Sequence, residues 1–276
     1  MISFVGAGPG AVDLITVRGA QRLADAAVVV WASSLVPEAV LDHCGDGVEV
    51  HDSATMTLED VLAVYEGHGD GTPIVRLHSG DPSLYGAIGE QIAWCRAHGR
   101  AWELVPGVTS VSAAAAVAGH ELTLPGVSQS VVVTRLPGRT AASMPGDGAD
   151  GVGVAAYARQ GETMAVLLSA ARPDELRDAL LGPGSAYTPD TPAVVVVRAT
   201  WPDEQVVRTT AGELPEAIRS TGATMTALVL VGDVLADPDP DVQRSHLYSP
   251  AYTTAYRLRS APGSSAGRPS ARRAPR

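Results

Sequence analysis

Two glycine-rich turns, each set directly after a short apolar run, constrain this chain most. Gly6-Ala7-Gly8-Pro9-Gly10 follows residues 2–5, and Ser79-Gly80-Asp81-Pro82-Ser83-Leu84-Tyr85-Gly86 follows residues 74–77. Short apolar runs bounded by turn signals read as buried strands. Glycine lets the backbone take positive φ or pass close to a ligand. Two such turns predict two floors of one cleft at the carboxyl edge of a parallel sheet, where open α/β sheets bind small molecules.

Gly6, Gly8 and Ala11 also fit the spacing of a dinucleotide-binding loop. Two features oppose that reading. Pro9 removes a backbone N–H that a phosphate would need. The second strand, residues 27–31, runs into Ala32-Ser33-Ser34 and offers no acidic residue for a ribose. A phosphate loop of the G-K-[ST] type is excluded, because the chain contains no lysine.

The chain has 276 residues, enough for one large domain or two moderate ones. Residues 1–119 alternate strand and helix, which predicts a parallel sheet covered on both faces. Residues 120–235 place strands next to one another without a helix between some of them, which predicts a mixed sheet. The expected fold class is therefore α/β with two domains, a parallel-sheet first domain and a mixed-sheet second domain, and a cleft between them. Residues 236–276 carry seven arginines and three aspartates and are rich in Ser, Pro, Ala and Gly. That composition predicts a disordered tail. The body before it holds a net charge of −14, which argues against a nucleic-acid footprint. No apolar run is long enough to span a bilayer, and Met1 leads straight into a strand rather than a basic leader. Cys44 and Cys95 lack metal-ligand spacing, so no metal site is expected and a reducing, cytoplasmic setting is.

Among finer expectations, residues 14–26, 85–98 and 109–118 read as helices. Thr57 and Asp60 form a capping box that opens another. His51 and Asp52 read as an acid–imidazole pair in a loop, and residues 138–153 as a mobile loop.

The ordered strings Gly6-Ala-Gly-Pro-Gly, Leu14-Ile-Thr-Val-Arg-Gly, Gly80-Asp-Pro-Ser-Leu-Tyr-Gly and Val105-Pro-Gly-Val-Thr-Ser resemble those of the tetrapyrrole methylases. The resemblance spans residues 2–233. Three further strings, His51-Asp-Ser-Ala-Thr-Met-Thr, Glu121-Leu-Thr-Leu-Pro-Gly-Val-Ser-Gln and Arg198-Ala-Thr-Trp-Pro-Asp-Glu, are similar to the branch that methylates C11 of precorrin-4. Uroporphyrinogen methylases carry Tyr-Asp-x-Leu-Val after the second strand. Here Ala32-Ser33-Ser34-Leu35-Val36 stands instead.

The resemblance implies S-adenosylmethionine as methyl donor, S-adenosylhomocysteine as product, an anionic tetrapyrrole as acceptor and a homodimer, with no nucleic-acid or membrane partner. Carried over residue by residue, it implies cofactor contacts at Pro9, Ser79, Gly80, Asp81, Leu84, Thr109, Ser110, Leu168, Ala199 and Thr200. For the acceptor, Ser33, Arg18 and Arg135 are expected on the substrate side, because guanidinium matches carboxylate in a two-pronged way. His51 and Asp52 are the expected catalytic pair, with His78 and Tyr85 as further titratable candidates.

Overall fold

The computed structural model describes residues 1–137, 153–237 and 245–270. In it, β1 (Ile2–Gly6), β2 (Val28–Trp31), β3 (Glu49–Asp52), β4 (Ile74–His78) and β5 (Trp102–Val105) form a parallel sheet in the order β3-β2-β4-β1-β5. Central strands of such a sheet are buried on both faces and read as continuous apolar runs. One face packs Val5, Leu23, Val29, Val75, Leu77 and Val105 beneath α1 (Val17–Ala24). The other packs Phe4, Val28, Val30, Ile74, Tyr65 and Cys95 beneath α2 (Leu58–Glu66) and α3 (Gly89–Ala97). Helix starts follow their sequence signals. Thr16 caps α1 by accepting the Gly19 N–H, and Thr57 with Asp60 completes the predicted capping box.

Register brings three strand ends together. Gly6 pairs with His78, and Val5 with both Leu77 and Val105. The chain therefore leaves β4, β1 and β5 side by side at one edge.

The second sheet contains β6 (Val131–Arg135), β7 (Thr163–Leu167), β8 (Pro192–Val197), β9 (Gln205–Thr210) and β10 (Ala227–Val231), in the order β6-β7-β10-β8-β9. Only β6 and β7 pair in parallel, which makes it the expected mixed sheet. On one face lie α5 (Val154–Ala158), α6 (Pro173–Leu180) and α7 (Leu214–Thr221), over Val195, Val229 and Met164. The other face is covered by α4 (Ser110–Ala118), whose Val111, Ala114 and Ala118 meet Ala165, Val194, Val196, Leu228 and Leu230. Alanine along α4 lets the helix lie close to a sheet built from valine and leucine.

Several expectations are corrected here. The helix expected over 85–98 begins only at Gly89, because Tyr85 and Ala87 hold left-handed backbone, with φ of 58° and 50°. The chain folds back there, and Gly86 lies so close to Pro82 that a Cβ would come within 2.2 Å of its carbonyl oxygen. Residues 14–26 split into a 3-10 turn at Val12–Leu14 and α1. His51 and Asp52 belong to β3 rather than to a loop. In the segment expected to be disordered, His246–Tyr248 forms a 3-10 turn, and β11 (Arg257–Leu258) pairs with β12 (Arg268–Pro269). Arg257 donates to the carbonyls of Leu247 and Ser249 at 2.7 and 2.9 Å and so ties this short module together. The loop expected over 138–153 lies outside the described residues except for Gly153. Among the described residues no helix is long and apolar enough to cross a membrane.

Candidate functional site

The three adjacent loops lock to one another through backbone. Gly80 N–H donates to Gly8 O at 2.7 Å, and Gly8 N–H returns to Gly80 O at 3.2 Å. Both glycines hold positive φ, 83° at Gly8 and 64° at Gly80, which side chains resist. Beside them Gly6 and Gly107 pack without room for a methyl group. A Cβ on Gly107 would fall 2.1 Å from Gly80 O, and one on Gly6 would fall 2.6 Å from Gly107 Cα. The predicted pair of turns is thus a trio of strand-end loops in direct contact.

Asp81 fastens the second loop to the third. Its Oδ2 accepts the Gly107 N–H at 2.9 Å, and its Oδ1 accepts the Ser83 N–H at 2.8 Å and the Ser83 hydroxyl. Partial burial pushes its pKa up, but the bonds from Ser83 and Gly107 outweigh that and hold it below 3.8. Its carboxylate is engaged within the chain, so Asp81 ties the two loops together. Ser79 and Leu84 are exposed on the same loop. Thr109 caps α4, accepting the Ser112 N–H at 3.2 Å, and Ser110 opens that helix beside Gly80.

Three residues at strand ends of the second sheet hold left-handed backbone. Leu168 (φ 55°), Arg198 (φ 49°) and Thr200 (φ 70°) lie just beyond the ends of β7 and β8. Non-glycine residues in this conformation are costly and cluster at ligand sites. Leu168 is 67% exposed, although the strand before it is buried. Ser169 supports the turn by donating to Leu167 O at 2.8 Å and accepting the Leu136 N–H at 2.9 Å. Ala199 packs partly against the core beneath α4. Thr200 crosses to the first sheet, where its Oγ1 accepts the Ala11 N–H at 2.9 Å.

Sequence reasoning passed over Trp201. Its indole N–H donates to Pro9 O at 2.9 Å, and the Arg198 guanidinium stands 4.2 Å over its ring. Pro9 and Thr200 are therefore joined through their neighbours. A signal was present in the sequence, an isolated tryptophan beside two predicted contact residues, but nothing in it showed the indole reaching the other sheet.

The expected catalytic pair does not form. His51 Nε2 lies 2.6 Å from Glu49 Oε1, while Glu49 Oε2 lies 3.2 Å from His68 Nε2. Successive strand residues face opposite ways, so Asp52 turns from His51. Asp52 Oδ1 accepts the N–H groups of Ser33 and Ala54 at 3.1 and 2.9 Å, and bonding by Ser33 and Ala54 lowers its pKa. Asp52 thus anchors the exposed Ser33 turn. Ser53 donates to Trp31 O at 2.8 Å and accepts from Arg76 at 3.0 Å, closing the same corner. His78 is buried against Phe4, with its pKa pushed down to about 3 by burial and by the Arg76 charge. It is buried and neutral at physiological pH.

Arg18 is exposed on the first turn of α1. Arg135 ends β6 and acts on Tyr85, whose phenol is raised by burial, lowered by Arg135 and raised by Tyr157. The Arg135 charge is thus felt at the Tyr85 phenol. A separate groove of about 580 Å³ lies between β9 and α7, lined by Arg177, Arg208, Glu216 and Arg219 among others, and touches none of these loops.

This arrangement agrees with known proteins. Residues 1–215 match the family of Tetrapyrrole (Corrin/Porphyrin) Methylases. The chain is 42% identical over 250 residues to a precorrin-4 C(11)-methyltransferase of Rhodococcus erythropolis, covering 90% of this chain and 96% of the relative. A cobalt-precorrin-4 C(11)-methyltransferase of Priestia megaterium is 40% identical over 258 residues, covering 92% and 96%. The X-ray structure of a cobalt precorrin-4 methyltransferase superposes with a TM-score of 0.78 at 41% identity, over 86% of this chain and 96% of the other. A uroporphyrin-III C-methyl transferase of Thermus thermophilus, solved with S-adenosylhomocysteine, gives a TM-score of 0.67 at 28% identity, over 85% and 98%. Matched by the family's model over residues 1–215 and by such relatives over nearly its whole length, the chain belongs to the tetrapyrrole methylases.

Proposed function

We propose that this chain is an S-adenosylmethionine-dependent C-methyltransferase that adds one methyl group to C11 of precorrin-4, giving precorrin-5 in corrin ring assembly. The observation that carries the reading is the meeting of the three glycine-bearing loops with Thr200 and Trp201, in a chain 42% identical to an enzyme named for that reaction. The residues present fit the cofactor. Backbone at Gly8 and Gly80 is bare of side chains, Leu84 and Leu168 offer exposed apolar surface, and Thr109 and Ser110 bring hydroxyls.

S-adenosylmethionine, when bound, supplies a methyl group on a sulfonium, already activated for in-line displacement. The chain's task is then alignment and exclusion of water. Pro9, Ser79, Gly80 and Asp81 form the floor on the first sheet. Leu84, Thr109 and Ser110 flank it, and Leu168, Ala199 and Thr200 close from the second sheet. Arg18 and Arg135 meet acceptor carboxylates, and Asp52 holds Ser33 where the ring docks. The electron-rich ring attacks the methyl carbon as the methyl–sulfur bond breaks, the proton the ring gives up passes to solvent, and His51, held by Glu49, takes no part in that transfer. The reading treats residues 1–119 and 120–235 as two domains with the cleft between them, and the enzyme as a cytoplasmic homodimer.

A second reading, in which the ring carries cobalt when methylated, is favoured by the Priestia megaterium relative and the X-ray neighbour. The test is incubation with metal-free and cobalt-loaded precorrin-4 and methyl-labelled S-adenosylmethionine, followed by location of the label. Label at C11 supports the activity, and the faster acceptor decides between the readings. Absence of label from both rings overturns it.

A further inference from the structure

We infer that Trp201 is a positioning residue for the methyl donor, holding the first cofactor loop from across the cleft; this rests on the proposed methyltransferase reading. Pro9 has no N–H, so its loop has lost a donor of its own and keeps a carbonyl that needs a partner. Trp201 Nε1 supplies that partner at 2.9 Å. Two residues on, Thr200 Oγ1 takes the Ala11 N–H at 2.9 Å. The loop is thereby gripped on both sides of Gly10 by consecutive residues of the second sheet.

Gly10 itself is fitted to the indole. A Cβ there would stand 2.2 Å from Trp201 Cδ1 and 2.4 Å from Nε1. The indole is held in turn. Arg198 lies over its ring at 4.2 Å, with its Nε 3.0 Å from Asp203 Oδ1. Glu204 accepts the Thr200 N–H at 2.5 Å, which fixes the left-handed turn that aims both residues. Strain at Arg198 and Thr200 is maintained in a turn that the Arg198 N–H anchors to Thr226 O at 2.9 Å, and from which the side chains of Thr200 and Trp201 both reach the cofactor loop. A general stabilising role needs only the ring's packing, whereas a positioning role needs the N–H.

The test uses the full chain and three variants, Trp201→Phe, Trp201→Ala and Gly10→Ala. Calorimetry with S-adenosylhomocysteine and steady-state kinetics with precorrin-4 provide the readouts. Trp201→Phe keeps the ring and removes one hydrogen bond, so affinity for S-adenosylhomocysteine is expected to fall roughly five-fold. The KM for the tetrapyrrole should stay within about twofold of wild type. Trp201→Ala and Gly10→Ala should weaken the cofactor further, with Phe at 201 restoring more than Ala. Unchanged cofactor affinity in Trp201→Phe overturns the inference. So does an equal rise in KM for both substrates that tracks a fall in melting temperature. Failure of the wild-type chain to bind S-adenosylhomocysteine overturns the methyltransferase reading instead, so the two failures are distinct.

Discussion

The Asp81 carboxylate accepts the Gly107 N–H at 2.9 Å and thereby joins the turn after β4 to the turn after β5. Both turns belong to the proposed cofactor floor, so one side chain sets their spacing. Asp81→Ala leaves the Gly107 N–H without its partner, at a cost of about 1–3 kcal/mol. Affinity for S-adenosylhomocysteine should fall with stability, while Asp81→Asn, which keeps one acceptor, should lose less of each. Calorimetry and thermal melts on the two variants check the order. The carboxyl's folded pKa lies below its ordinary 3.8, so its contribution is fully present above that value. It is lost as pH falls below 3.8 through the folded pKa.

Glycines at the loop junction should tolerate nothing larger, for reasons that differ by position. Gly6→Ala and Gly107→Ala drive a methyl group into backbone of the neighbouring loop, with Cβ contacts of 2.5 and 2.1 Å to Gly80 O. Backbone cannot move aside as a side-chain tip does, and overpacking costs about 1–3 kcal/mol or more. Gly89→Ala has open space at the start of α3 and should be neutral or slightly stabilising. Melting temperatures of the three proteins should separate into these two groups. Equal melting temperatures would show that the junction gives way.

Acid sensitivity should trace in part to His78. Its pKa is pushed from 6.5 to about 3 by burial and Arg76. The unfolded chain therefore binds a proton between these values that the folded chain refuses. Stability from this group is complete above pH 6.5 and drains as pH falls toward 3. His78→Leu should flatten stability against pH across that window, and it leaves the buried Nε2, now without a partner, absent. Denaturant melts at pH 7, 5.5 and 4.5 measure the slope; an unaltered slope would refute the assignment.

His51 and Asp52 should behave differently despite being neighbours. His51→Ala removes a contact to exposed Glu49, and turnover should stay within about twofold. Asp52→Ala releases the Ser33 and Ala54 amides, so the tetrapyrrole KM should rise several-fold with cofactor affinity unchanged. A tenfold loss of turnover in His51→Ala would restore it as a proton carrier.

The proposed homodimer should sediment at twice the chain mass. It should survive a cut after Asp237, which removes residues 238–276 and spares the core. A cut after Gly232 is predicted to destabilise, because Val234 and Leu235 are buried at 3% and 5% exposure against the second sheet.

Glycine is legible because its missing side chain has one structural use at a strand end, so the loops at Gly6–Gly10 and Gly80 announce themselves. The left-handed turns at Leu168 and Thr200 are held by local hydrogen bonds, through Ser169 and Glu204, rather than by any preference of leucine or threonine, and family resemblance alone points to them. The Tyr85 helix start failed because apolar spacing at Ile88 and Ile92 carries no record of the Pro82–Gly86 fold-back. His51 was read as part of a loop because β3 is short and at the sheet's edge, half solvated, where strand alternation is weakest.

The alanine helix α4 begins at the Thr109 cap beside Gly80 but spends its length against the second sheet. Sequence position and packing therefore disagree about which half owns it. Any chimera that joins the first 119 residues to the rest of another methylase brings in a foreign covering for that sheet. Such hybrids should fold only where the recipient's sheet can accept small side chains at 111, 114 and 118. The modular exchange that two separate sheets invite is held in check by a single shared helix.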